Sequence, residues 1–150
     1  MRKRWILAGG ALVAIAGIAL VYANAQRGNA REALASAERV ALGKTVYGAS
    51  CASCHGAKLE GQPDWRKRRA DGRLPAPPHD ASGHTWHHSD AQLLAIIRLG
   101  TAAVVGDGYQ SDMPGFADVL TEAESAAVLD YIKSTWPQRE AEYQRQVSGG

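Results

Sequence analysis

The chain has 150 residues, 45% of them hydrophobic and 7% aromatic, with 17 Lys and Arg against 15 Asp and Glu. Once the first 25 residues are set aside as a leader, 14 basic residues face 15 acidic ones. That net charge of −1 does not point to a nucleic-acid partner, and about 125 residues suffice for one domain but not for two with separate cores.

The amino terminus reads as an export signal. Arg2, Lys3 and Arg4 precede a 19-residue uncharged run, Trp5 to Ala23, and Ala23-Asn24-Ala25 fits a small-x-small cleavage site. The run is longer than the usual cleaved core of about 7 to 15 residues and close to the roughly 20 that span a bilayer, so residues 1–25 read equally as a signal peptide or an uncleaved apolar anchor helix. Either way, basic residues before the run place the remainder on the periplasmic side of the inner membrane.

Residues 26–35 are expected to form a linker and the start of a first helix, which residues 30–49, rich in strong helix formers, carry up to the cysteines. A long irregular loop follows, from about Glu60 to His88, holding Pro63, Pro75, Pro77 and Pro78 and the basic residues Arg66, Lys67, Arg68, Arg69 and Arg73. Ser89 three residues before Gln92 marks the start of the next helix as a capping box, and Gly100 its end. Thr121 and Glu124 repeat the device for a last helix with Val128, Leu129 and Ile132 on one face, closed by Pro137. Residues 138–150 are expected to be a polar tail. The pattern is all-α.

The chemistry is concentrated in "CASCH", where Cys51 and Cys54, the only cysteines, are followed at once by His55. A redox dithiol would call for a βαβ setting, which the flanks do not offer, and a zinc site would need two further ligands from distant histidines. The adjacent histidine points to covalent attachment of one c-type haem, the thiols bonding the macrocycle and the imidazole reaching the iron. A buried haem would also supply apolar mass to a core lean in aromatic residues. Met113, the only methionine besides Met1, lies in a Gly- and Asp-rich loop before the last helix and is the candidate for the second axial position.

These residues resemble a class I monohaem c-type cytochrome of the bacterial periplasmic or membrane-anchored kind. The likeness covers roughly residues 36–137 and includes Gly43 and Tyr47, "CASCHG", Gly61, "MPGF" and Tyr131. It implies the cytochrome c fold for residues 36–137, first and last helices crossing at Gly43 and Tyr131, and a proline carbonyl, of Pro77 or Pro78, accepting a hydrogen bond from His55. The haem pocket would further draw on Trp86, Tyr109 and Phe116. The implied function is single-electron transfer, without enzyme activity, between redox partners such as a terminal oxidase or a quinol-cytochrome c oxidoreductase.

One stretch departs from the family pattern. His79, His84, His87 and His88 lie within ten residues of one another, beside Trp86. Three readings stay open: a second metal site, for copper or zinc; a histidine in place of Met113 on the iron; or packing against the haem and hydrogen bonding to its propionates. The first defines the rival function, a haem-containing copper-binding or sensing module. The basic loop and the acidic residues around Met113 (Asp107, Asp112, Asp118, Glu122, Glu124) would make the molecule dipolar and steer encounter with an acidic partner.

Overall fold

The computed structural model describes the backbone of residues 2–149 and the side chains of these except residues 2–16, 19 and 20. Its regular elements are all helical: α1 (Arg2–Ser50), α2 (Ala52–His55), a 3-10 turn (Thr85–His87), α3 (Asp90–Leu99), α4 (Thr101–Val105), α5 (Glu122–Ser134) and α6 (Gln138–Val147). Two compact units divide the chain, Met1–Glu38 and Arg39–Gly150.

In the first unit residues 26–35, expected as a linker and the start of the first helix, are helical and part of α1. Ile18, Val21, Tyr22 and Leu34 are all well exposed. Most of the apolar run read as leader or anchor lies outside the described side chains, and among the described residues no helix is long and apolar enough to cross a membrane.

The second unit is built on one crossing. An added Cβ at Gly43 of α1 would come within 1.8 Å of the Ala127 carbonyl oxygen and 2.9 Å of the Tyr131 Cβ, so only glycine lets α1 and α5 approach this closely. One turn on, the Tyr47 and Tyr131 rings meet at 5.4 Å. Below them Val46, Tyr47, Leu59, Val128, Ile132 and Trp136 form the buried core, each large apolar side chain contributing about 1.5–3 kcal/mol by leaving water. The expected crossing is therefore present, with the expected residues.

Helix ends follow local chemistry. At α5 the Thr121 hydroxyl accepts from the Glu124 amide at 3.2 Å and the Glu124 carboxylate accepts from the Thr121 amide at 2.8 Å, a complete capping box. At α3 only half the expected box forms: Ser89 accepts from the Gln92 amide, but the Gln92 side chain turns to the His88 ring. Gly100, at φ 84°, ends α3 and immediately starts α4, an element the sequence did not announce.

The carboxyl terminus differs most from expectation. Residues 138–147 form α6 instead of a polar tail, docked through polar groups. Gln144 is fully buried, its amide donating to the His88 carbonyl, the Asp90 carboxylate and the Ser148 hydroxyl, while Lys133 holds the same carboxylate through two bonds of 2.7 Å. Burial pushes the Asp90 carboxyl up, but hydrogen bonds from Lys133, Gln144 and Ser148 and the charge of Lys133 outweigh it and hold the group below the usual aspartate value.

Candidate haem site

Cys51 closes the end of α1, and α2 brings Cys54 and His55 round on a single turn, the amides of both Cys54 and His55 donating to the Cys51 carbonyl at 3.1 and 3.0 Å. The two thiols are not joined to each other. Burial, reinforced by Cys54, pushes the Cys51 thiol up to about 11. A lowered pKa is what activates a redox thiol, and Cys51 does not have one.

His55 is buried and rigidly placed. Its Nδ1 donates to the Pro77 carbonyl at 2.8 Å, which fixes the tautomer and leaves Nε2 with a free lone pair. Burial lowers its pKa, the Pro77 bond partly offsetting this, so the ring stays a neutral donor. The acceptor is thus the first of the two candidate prolines. Pro78 is buried and its carbonyl faces the Thr85 hydroxyl at 3.4 Å.

The loop that delivers Pro77 is held by close backbone approach. Gly61, at φ 69°, would put a Cβ 2.5 Å from the Pro78 nitrogen and 2.7 Å from the Pro77 carbonyl carbon. The Gln62 amide donates to the Ala76 carbonyl and the His79 amide to that of Leu59, so the loop is tied on either side of the proline pair.

The four loop histidines do not converge. Among the described residues no three His, Cys, Asp or Glu side chains are gathered as a metal-binding group. His79 stacks on His55 with ring centroids 4.0 Å apart, its Nδ1 bonded to the Thr85 hydroxyl at 2.8 Å. His84 stacks on Trp65, His87 stacks on Trp86, and His88 bonds Gln92. His84 and His88 also meet edge-on, with ring centroids 5.3 Å apart, so of the expected set His79, His84, His87 and His88 this pair is brought together, and no group of three or more ligands forms among the described residues. His79, stacked on His55, lies on the same side as that imidazole and not opposite it. Burial, with the charges of His55 and His84, keeps His79 well below the ordinary histidine value and hence neutral. Its place behind His55 escaped the sequence, because no spacing rule links residues 55 and 79.

Trp86 packs on the core and meets Tyr143 of α6 edge-on at 5.4 Å. Among the described residues its Nε1 and the Nε of Arg73 are buried N–H groups without an acceptor, an omission that costs about 1–3 kcal/mol each and that haem carboxylates would fit. Met113 is half-buried, as are Tyr109 and Phe116. Downstream of Met113 the chain is sewn to the end of α3, Phe116 and Ala117 donating to the carbonyls of Ile97 and Arg98 at 3.0 and 3.1 Å.

The expected charge separation is partly cancelled. Arg69 and Arg73 of the basic loop both bind Asp112, the residue before Met113, and Arg98 pairs with Glu122.

Comparison with known proteins agrees with the geometry. The cytochrome c family matches residues 40–136. Among curated proteins, the Cbb3-type cytochrome c oxidase subunit FixP of Azorhizobium caulinodans is 29% identical over 94 residues, 63% of this chain. The match covers only 28% of that protein's length. No solved structure matches. A helical unit with two free thiols and a carbonyl-tethered histidine on one turn, inside a match that takes in most of the chain, makes this protein a member of the cytochrome c family, carrying covalently bound haem c and serving haem-based electron transfer.

Proposed function

We propose that this chain is a single-electron carrier and not an enzyme, with His55 and Met113 as the axial ligands of its one haem. Bound haem supplies a one-electron ferric/ferrous couple, and a thioether ligand shifts it toward the reduced state. Cys51 and Cys54 are the covalent anchors. His55 donates its Nδ1–H to Pro77, which fixes the ring and raises its basicity toward the metal. Met113 fills the remaining position, so no site is left for substrate. Pro77, Pro78, Trp86, Tyr109 and Phe116 line the pocket.

The observation that carries this reading is the His55–Pro77 hydrogen bond beside two unpaired thiols. It explains why the imidazole is oriented before any ligand arrives. The rival reading, a copper-binding or sensing module, lacks a cluster of ligands among the described residues.

The relative's name places it in a terminal oxidase, which supports a terminal oxidase or a quinol-cytochrome c oxidoreductase as redox partner here. The exposed Arg66 and Lys67 are available to an acidic partner surface. The setting is the periplasmic side of the inner membrane, with residues 1–25 as cleaved signal or membrane anchor.

An optical redox titration of the haem-loaded protein tests the ligation. A positive potential, with the methionine-to-iron band in the red region of the oxidised spectrum, is expected. A markedly negative potential with no such band would overturn Met113 as ligand and move attention to His84, His87 and His88.

A further inference from the structure

Downstream of Met113 the chain is tied to α3 by backbone bonds, but upstream it has little of its own. Residues 106–108 run Gly-Asp-Gly with φ of 73°, 48° and 75°, an open turn that packs against nothing at either glycine. The Tyr109 amide donates to the Gly106 carbonyl and the Met113 amide to the Ser111 hydroxyl, so both bonds stay inside the segment.

The outside support comes from a turn some forty residues earlier in the chain. The Arg69 amide donates to the Arg73 carbonyl and the Gly72 amide to the Arg69 carbonyl, both at 2.9 Å. Asp71 accepts from the Arg73 amide at 3.0 Å, and the Arg68 guanidinium caps the Gly72 carbonyl at 2.6 Å. The turn is thus prefolded, and it presents three arginines on one stretch of chain. Arg73 Nη1 donates to Asp112 Oδ1 at 2.7 Å, Arg69 Nη2 donates to Asp112 Oδ2, and the Arg68 guanidinium lies 5.7 Å from the centre of the Tyr109 ring. All three reach residues 109–112, immediately before the methionine.

We infer that the turn Arg68 to Arg73 is a clamp on the segment 109–112, and that these arginines and Asp112 are positioning residues for Met113. The inference rests on the proposed ligation by Met113. Both partners are about 40% exposed, so each ion pair alone is weak and screened by salt. Two guanidinium groups held in place by one turn and sharing one carboxylate lose less side-chain freedom than two separate pairs would. The clamp also explains why Arg69 and Arg73 are not free to meet a partner.

The test uses the full haem-loaded chain in four forms: wild type, Asp112→Ala, Arg69→Ala/Arg73→Ala, and the triple variant. Amide hydrogen exchange of residues 109–113 reports the clamp, and carbon monoxide binding to the reduced protein reports how often the methionine position opens. Asp112→Ala is expected to raise both rates roughly five- to tenfold, and the triple variant to go no further. Raising salt to about 1 M, where the Debye length is about 3 Å, should move wild type toward the variants and leave Asp112→Ala where it is. Exchange and carbon monoxide rates unchanged in both Asp112→Ala and the double arginine variant would overturn the clamp. Protected amides that Asp112→Ala releases, in a wild type lacking the red-region band, would uphold the clamp and overturn Met113 as the ligand.

Discussion

His55 and Met113, the two residues proposed to face each other across the iron, are held by opposite means. His55 is buried, bonded to a backbone carbonyl, and backed by His79, itself fixed by Thr85. Met113 is half-buried, with a glycine-rich approach on one side held by exposed ion pairs and backbone bonds to α3 on the other. Buried hydrogen bonds are indifferent to salt and act in a low dielectric, whereas exposed ion pairs are screened. One side is therefore stiff and the other soft, and of the two ligands the methionine is the one that can leave.

The sharpest way to break this contrast is to remove each ligand in turn. His55→Ala should abolish the low-spin haem spectrum, while Met113→Leu should keep the haem attached, lower the potential and admit carbon monoxide to the reduced protein. Spectra that respond alike would erase the distinction. Next in size is the backing of the stiff side: His79→Ala removes a half-buried ring stacked on His55 and should cost about 1–3 kcal/mol in chemical denaturation. His79→Phe keeps a stacking face and should recover most of that loss, leaving mainly the missing bond to the Thr85 hydroxyl, which keeps only its longer contact with the Pro78 carbonyl.

Gly61→Ala probes the same side through its backbone. Its Cβ would displace Pro77 and Pro78 at a site already at positive φ, for about 1–3 kcal/mol. A weaker His55–Pro77 bond makes the imidazole a poorer donor to the iron, so the reduction potential should rise. A destabilised variant with an unchanged potential would show that the bond does not tune the metal.

The smallest expected effect lies at the α6 dock. Asp90 has a folded-state pKa below its unfolded value, so its contribution is present above the unfolded aspartate pKa of about 3.9 and is lost as pH falls through the lower folded value. The group is substantially exposed, which limits this to under about 1 kcal/mol. Acid titrations of stability for wild type and Asp90→Asn should differ above that range and converge below it.

What could be read without coordinates was local. The "CASCH" turn and the Thr121–Glu124 box each depend on a few residues at fixed spacing, while the glycine that lets α1 meet α5 was implied by the family resemblance. Helix α6 was not legible, because the residues it buries are Glu140 and Gln144, and hydrophobic periodicity is silent about a helix docked by polar groups. Pro137 before a run of helix formers was the one signal available.

The histidine loop shows the same limit from the other side. Four imidazoles close in sequence suggest convergence, yet in an irregular loop neighbouring side chains point wherever the backbone turns them: here His79 turns to His55 and His87 to Trp86, while His84 and His88 meet each other. The attachment motif and the all-helical pattern were determined by the sequence itself, since covalent chemistry and capping act over a few atoms. Which proline carbonyl meets His55, that His79 stands behind it, and that Arg69 and Arg73 close on Asp112 were decided by the tertiary structure alone. These contacts join residues 22 to 43 positions apart through loops that carry no periodicity, so only the folded backbone brings their partners into reach.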